Sequence, residues 1–236
     1  MKAIILAAGA GTRLSPLTDG CPKCLVKVGP RPLIDYQLQA LRQVGVDDVV
    51  LVVGYEADQI RAHCGHTARY IENPDYLSTN SIYSLYLAAA ELDTDTFLFN
   101  CDILFHPEIL ARLLTRPNAV AVDAQVARVA GEMNVAGDLQ GRVQAISKAL
   151  APEHSQAQSA QLVKFDRQGA LAVGQEVERL VRDEHRDAFP TSAYGPLIAL
   201  QQLYAVEVGD LPWGEIDSLE DYQRVCREVL PRLQGA

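Results

Sequence analysis

Hydrophobic positions along this chain fall into short, nearly continuous runs separated by stretches of helical spacing. Lys2–Ala7 (KAIILA) and Asp48–Val53 (DVVLVV) show no polar alternation, the pattern of strands buried on both faces of a parallel sheet. Pro32 suits the first turn of a helix, and Leu33, Leu38, Leu41 and Val44 follow a rough helical spacing that Gly45 closes. A short amphipathic helix is expected around Ala57–Cys64, a weaker strand over Ala68–Glu72, and a helix over Ser81–Leu92. Thr96–Asn100 (TFLFN) reads as a further buried strand that delivers Asp102 to its C-terminal end. Strand–helix alternation of this kind predicts right-handed crossovers and a parallel sheet with helices on both faces. Ligands in such sheets sit at the carboxyl ends of the strands.

The remainder is less regular. Ala119–Val129, Arg142–Lys148 and Ala160–Phe165 read as strands, with a turn-rich hairpin or flap over Gly131–Gly141. Pro152–Gln161 is polar without an apolar period and is expected to be a mobile loop. Helices are expected over Val173–Glu184 and Gly195–Gln202, a short strand over Leu203–Val208, and a last helix over Leu219–Leu233. Ser218 with Asp221 three residues on forms a capping box at its start. No repeat, low-complexity tract or linker interrupts the pattern, so 1–236 is expected to form a single domain.

Composition changes this picture in one place. The chain carries 21 Lys+Arg against 30 Asp+Glu, a formal net charge of −9, which excludes a general nucleic-acid-binding surface. Residues 1–31 run the other way, with Lys2, Arg13, Lys23, Lys27 and Arg31 against Asp19 alone. A basic, glycine-containing segment on an acidic protein suggests a local site for a small polyanion. Five cysteines, without a signal-peptide pattern at Met1-Lys2, read as reduced thiols of a cytoplasmic protein. No apolar run approaches the ~20 residues that would span a bilayer.

The strongest chemical signal is Leu6-Ala-Ala-Gly-Ala-Gly-Thr-Arg-Leu14, with Pro22-Lys23 further along the same loop. Glycines directly after a strand let backbone N–H groups approach an anion, and Arg13 and Lys23 can neutralise a triphosphate. Leu14 stands where a dinucleotide fingerprint needs a third glycine, and the Gly-Lys-Ser/Thr of a Walker loop is missing. Asp102 at a strand end calls for a cation, as do Glu215 and Asp217, two apart on an extended segment and therefore on one side of it. Bland readings exist for each: Asp102 or Asp217 as helix caps, Glu215 as a solvated rim residue, Asn80 as a cap, Lys148 as an ordinary exposed lysine. Cys21-Pro-Lys-Cys24 lacks the second pair of a zinc site, and His63-Cys-Gly-His66 is a lone cluster.

Taken together, Leu6–Leu14, Pro22-Lys23, Val53-Gly54-Tyr55, Thr79–Leu87 (TNSIYSLYL) and Trp213-Gly-Glu-Ile-Asp217 with Glu220-Asp221-Tyr222 resemble the nucleotidyltransferases that activate sugar phosphates and small phospho-alcohols. Thr79–Leu87 is most similar to the bacterial CTP:phosphocholine and phosphonate cytidylyltransferases. The resemblance implies a Rossmann-like three-layer α/β/α fold with a mostly parallel mixed sheet and an elaborated C-terminal half. It divides the chain into a nucleotide-binding half, 1–130, and an acceptor-binding, metal-completing half, 131–236. It implies a Mg²⁺-dependent transfer from a nucleoside triphosphate, CTP favoured, with pyrophosphate release. The implied nucleotide contacts are Leu6, Ala8, Gly9, Ala10, Gly11, Thr12, Arg13, Lys23, Gly54, Thr79, Asn80, Ser81 and Cys101. The implied metal ligands are Asp102, Glu215 and Asp217, with Arg13, Lys23 and Lys148 as catalytic cations. Lys148, Ser159, Gln161 and Tyr194 are assigned to the acceptor.

The family usually shows glycine around Ser159-Ala160-Gln161, and the Phe189–Tyr194 segment holds too few aromatics for a quaternary-ammonium cage. A small phosphonate or phosphorylated polyol is therefore expected as acceptor in place of phosphocholine. The rival readings are a sugar-1-phosphate nucleotidyltransferase using GTP, dTTP or UTP, a non-catalytic nucleotide sensor, and a nicotinamide-dependent oxidoreductase. No nucleic acid or membrane partner is expected, and a homodimer is compatible with the sequence.

Overall fold

The computed structural model describes residues 1–234. Strand β1 (Lys2–Ala7) leads into a small ribbon, β2 (Lys27–Val28) with β3 (Arg31–Pro32), and then into α1 (Leu33–Gln43). The chain continues through β4 (Asp48–Val53), α2 (Ala57–Cys64), β5 (Arg69–Glu72), α3 (Ser81–Leu87), β6 (Thr96–Asn100), β7 (Ile103–Phe105), α4 (Glu108–Leu113) and β8 (Ala119–Asp123). The second half adds β9 (Asn134–Gly137), β10 (Val143–Ser147), β11 (Ala157–Phe165), α5 (Arg167–Arg182), α6 (Gly195–Ala199), β12 (Tyr204–Glu207) and β13 (Trp213–Glu215). It closes with α7 (Leu219–Arg224), a π turn over Val225–Val229 and α8 (Leu230–Gln234).

A nine-stranded sheet organises these elements. Strands β5, β4, β1 and β6 are parallel neighbours, with Leu6 of β1 in register with Val52 and Asn100. Antiparallel β11 then pairs β6 and β8, and its first residues pair β9. Alternation along β1 divides the core: Ala3, Ile5 and Ala7 pack with α1, α2 and α4, while Ile4 and Leu6 pack with α3 and α5. This is the three-layer fold with a mostly parallel mixed sheet.

A third apolar cluster fixes the site. Leu14, Val26, Val28, Leu33 and Tyr36 pack against Leu104, Ile216, Val225, Val229 and Leu230, so the loop after β1 is clamped to the C-terminal helices. Strand β13 pairs antiparallel with β7, placing Glu215 opposite Ile103, and Ile216 N–H donates to the Asp102 carbonyl at 2.9 Å. Ser218 and Asp221 form the capping box that starts α7.

Several sequence expectations need correction. Pro152–Gln161 is not a mobile loop: after one 3-10 turn at Pro152–His154, β11 already begins at Ala157. Its polar residues mislead because Ser159 is buried inside the sheet. The strand expected over Ala119–Val129 stops at Asp123, whose carboxylate accepts from the N–H groups of Gln125 and Val126 and turns the chain. The hairpin expected over Gly131–Gly141 is present as β9 and its turn into antiparallel β10, whereas Ala8–Arg31, which reads as one long loop, contains two 3-10 turns and the β2–β3 ribbon. The helix expected over Ser81–Leu92 ends at Leu87 and resumes as a 3-10 turn over Ala89–Glu91. Helix α5 starts six residues earlier than expected because Asp166 caps it, accepting from Gly169 N–H at 2.7 Å. Among the described residues no helix is long and apolar enough to cross a membrane, and all five cysteines are free thiols.

Gly54 backs the loop that follows β1. A Cβ there would lie 2.8 Å from the Ala8 carbonyl oxygen and 3.0 Å from the Cβ atoms of Ala8 and Tyr76. Tyr55 N–H donates to that same Ala8 carbonyl at 3.0 Å. Gly54→Ala should therefore cost about 1–3 kcal/mol through overpacking. In a chain of this size that lowers Tm by about 2–10 °C, which thermal unfolding would register. An unchanged Tm would contradict this close approach.

Candidate active site

A cleft of about 320 Å³ opens at the carboxyl ends of the parallel strands, where β1, β6 and the C-terminal segment meet. One wall is the loop after β1, which supplies Ala8, Gly9, Gly11, Thr12 and Arg13. Gly11 has φ +62°, and a Cβ there would stand 3.3 Å from both Lys23 and Thr18. Its left-handed backbone and the proximity of Lys23 both favour glycine. The Thr18 hydroxyl donates to the Gly11 carbonyl at 2.9 Å and pins the turn.

At the floor, three carboxylates converge: ligand oxygens of Asp102, Glu215 and Asp217 lie within 4.8 Å of one another. Asp102 is held in place by its own backbone. Cys101 N–H donates to the Leu6 carbonyl at 3.0 Å, and the buried Gln37 amide donates to the carbonyls of Asn100 (3.1 Å) and Ile103 (2.8 Å). Lys23 spans the pair, with Nζ 2.9 Å from Asp102 Oδ2 and 2.5 Å from Asp217 Oδ1. Arg13, otherwise exposed, reaches Asp217 Oδ2 at 2.9 Å.

Burial works against the Lys23 charge, yet the Asp102 and Asp217 carboxylates hold its pKa above that of an ordinary lysine. Burial likewise opposes the Asp217 charge, but the Lys23 ammonium, with Arg13 and Lys148, keeps its pKa below the usual value. Glu215 lacks such a partner. Burial first, then the neighbouring Asp102 and Asp217 charges, pushes its pKa up to about 8 against the pull of Lys23 and Lys148.

Asp102 Oδ1 is buried with no hydrogen-bond partner among the described residues. A buried carboxylate oxygen without a donor is costly, and a hard cation would satisfy it. Asp102, Glu215 and Asp217 therefore fit a divalent ion by donor type and proximity. Neither capping alternative describes the aspartates: Ser218 caps α7, and the Asp102 carboxylate bonds Lys23.

Gln161, assigned to the acceptor from the sequence, reaches the carboxylate floor. It sits where β11 loses register with β8, between Ser159 and Val163, and has φ +59°. A non-glycine residue held there is strained and sustained by its surroundings. Its side-chain amide donates to Glu215 Oε2 and accepts from Asn100 Nδ2 at 3.1 Å, while its N–H donates to Ser159 Oγ at 3.0 Å. Gln161 thus orients the least compensated carboxylate of the three.

The opposite wall carries Thr79, Asn80 and Ser81, together with Asn73, Tyr76 and Ser84, which sequence reading did not single out. Asn73 could have been suspected only from its Asn-Pro-Asp turn; its amide donates to Ser84 Oγ at 3.0 Å and Thr79 Oγ1 at 3.3 Å. Asn80 caps α3, accepting from Ser81 N–H at 2.7 Å, and its amide donates to the Asp187 carbonyl at 3.0 Å. Lys148 lines the cleft with its Nζ 5.2 Å from the Phe189 ring centroid. Leu6 and Cys101 complete the lining. Of the expected contacts, Ala10 and Gly54 do not line the cleft, and Ser159 and Tyr194 line a smaller pocket beside it. Tyr194 is in the core, edge-on to Phe165 at 5.3 Å. His63 Nε2 is paired with Asp35 at 2.7 Å, away from the cleft.

Residues 3–200 match the family of MobA-like NTP transferase domains. The choline-phosphate cytidylyltransferase of Streptococcus pneumoniae is 44% identical over 108 residues, covering 42% of this chain and 46% of that protein. The CMP-5'-(3-aminopropyl)phosphonate synthase of Streptomyces rubellomurinus is 40% identical over 129 residues, covering 52% of this chain and 20% of that protein. The match thus spans less than half the length of these two curated relatives. Among solved structures, the CTP:phosphocholine cytidylyltransferase of Streptococcus pneumoniae superposes with a TM-score of 0.78 at 28% identity, covering 96% of this chain and 97% of that one.

If Lys23 balances the carboxylates, removing it should be severe. Lys23→Met leaves three clustered acids without their buried cation, a loss of about 3–5 kcal/mol for a broken buried pair. Thermal unfolding should show a Tm lower by about 6–15 °C. Millimolar Mg²⁺ should raise the variant's Tm more than the parent's. A variant within 2 °C of the parent, roughly 1 kcal/mol or less, would contradict the balance.

Proposed function

This chain belongs to the family of MobA-like NTP transferase domains, and from that premise we propose that it is a Mg²⁺-dependent cytidylyltransferase. It would join the cytidylyl group of CTP to a small phosphonate or phospho-alcohol and release pyrophosphate. The observation that carries this reading is the convergence of Lys23, Asp102, Glu215 and Asp217 on one half-buried point, with Asp102 Oδ1 left unpartnered. Its place directly beneath a glycine turn supports a triphosphate above it. The cytidylyl branch is supported by the Thr79–Leu87 segment and by the CTP enzyme of like fold at 28% identity.

In this scheme an oxygen of the acceptor's phosphoryl or phosphonyl group attacks the α-phosphorus. The bond to the β-phosphate breaks, and pyrophosphate leaves with the electron pair. Acceptor oxygens are already ionised near neutral pH, so no protein base is required. Asp102, Glu215 and Asp217 would hold the ion, which when bound offsets charge on the triphosphate oxygens. Backbone N–H groups of Gly9, Gly11 and Thr12, which line the cleft, would face the phosphates, and Arg13 and Lys23 would stabilise charge growing on the leaving group. Lys148, on the far side of the cleft, draws in the acceptor anion, and alignment of the two anions supplies much of the remaining barrier reduction. Gln161 keeps Glu215 aimed at the ion. The free thiols suit a reducing compartment such as the cytoplasm.

Pyrophosphate release measured with CTP, UTP, GTP and dTTP over a panel of phosphonates, phospho-alcohols and sugar phosphates tests the reading. CTP should lead by about ten-fold or more in kcat/KM, equivalent to ~1.4 kcal/mol. Asp217→Asn should lower kcat by about 10²–10³. Lys148→Ala should raise KM for the acceptor while leaving KM for CTP within two-fold. Preference for another nucleotide, or equal effects of Lys148→Ala on both KM values, would contradict it.

A further inference from the structure

Beside the main cleft lies a second pocket of about 40 Å³, which shares Leu6, Asn100, Gln161 and Phe189 with it as lining residues. It penetrates between Leu98, Val120, Ile146, Ser159 and Thr191, on the Lys148 side of the carboxylates. At roughly 10–15 Å³ for one water-sized occupant, its volume holds about three heavy atoms.

The lining has no Asp, Glu, Lys, Arg or His. Three aromatic residues line the pocket, and Phe99 is buried with its ring edge-on to Phe105 at 5.5 Å. Tyr194 is buried with its ring against Phe165, and the Phe189 ring already carries the Lys148 ammonium at 5.2 Å. A cationic tail would therefore give up its hydration with no carboxylate and no open ring to replace it, beside a like charge. The polar groups present suit a hydroxyl. Ser159 Oγ accepts from Gln161 N–H at 3.0 Å, which leaves its own proton to donate, and the Thr191 hydroxyl stands at the same pocket.

We propose, on the basis of the cytidylyl-transfer reading, that the acceptor is a phosphonate or phosphate monoester whose tail is uncharged, about three heavy atoms long and hydroxyl-bearing, and that this pocket seats the tail. Lys148 then meets the acceptor's anionic end while Ser159 and Thr191 meet its hydroxyl. Selectivity arises from what the pocket lacks, since an amine placed there stays unpaired.

The test is kcat/KM with CTP for 2-hydroxyethylphosphonate, 2-hydroxyethyl phosphate, 2-aminoethylphosphonate and phosphocholine. Both hydroxyl acceptors, or whichever of them is the true class, should exceed both cationic ones by ten-fold or more. The ratio of the two hydroxyl arms tells phosphonate from phosphate ester. A cationic acceptor in the lead, or no turnover of any hydroxyl acceptor, overturns the proposal. Thr191→Asp supplies the missing counter-charge and should raise the 2-aminoethyl to 2-hydroxyethyl ratio at least ten-fold. An unchanged ratio would show that the tail lies elsewhere. Calorimetric CTP binding without acceptor separates the two levels. Tight CTP binding with a preference for amines defeats only the tail assignment, whereas loss of CTP selectivity defeats the cytidylyl-transfer reading.

Discussion

Three carboxylates brought within 4.8 Å of one another in a half-buried cleft are the constraint on which this structure turns. Like charges so placed repel, and the fold answers with Lys23, bonded at once to Asp102 and Asp217. Nearly every unusual feature nearby serves that arrangement. The β7–β13 ribbon delivers Glu215 and Asp217 beside Asp102, and the apolar cluster of Leu14, Leu104, Ile216 and Val229 clamps the Lys23 loop against the C-terminal helices. Gln161 accepts a left-handed backbone to hold Glu215. Strain and electrostatic cost gathered at one point mark a functional site.

Charge also explains how the cleft divides its labour. The carboxylate floor lies between two cationic arms, Arg13 with Lys23 on the glycine-loop side and Lys148 by the Phe189 wall. On the proposed reading, the nucleotide and the acceptor would approach the carboxylate floor from these two sides without meeting only negative charge. The neutral pocket beyond Lys148 adds a third zone, in which apolar packing and hydroxyls replace ion pairing.

The parallel half of the fold was legible because β1, β4 and β6 are buried on both faces and read as unbroken apolar runs. The short β7 and β13 were not, since three residues carry no period, yet they assemble the carboxylates. The interruption within β11 defeated pattern reading twice. It placed polar Ser159 inside the sheet, where a mobile loop was expected, and it turned Gln161 into the cleft while Ser159 faces the neighbouring pocket. Arg13, Lys23, Asp102, Glu215 and Asp217 could be named from motif resemblance. Their mutual distances, and the buried Gln37 that sets the Asp102 backbone, depend on contacts far apart in sequence. Tyr194 packs edge-on to Phe165 in the core and also lines the side pocket, a double placement that its position along the chain does not reveal.

The central claim is that the Asp102 cluster is a cation site coupled to nucleotide binding. Calorimetric titration of CTP into the protein, with and without Mg²⁺, and into Asp102→Asn under the same conditions, measures that coupling directly. Mg²⁺ should tighten CTP binding to the parent protein by about ten-fold or more, a coupling of at least ~1.4 kcal/mol, and should leave the variant nearly unaffected. Equal Mg²⁺ enhancement in both proteins would contradict the account.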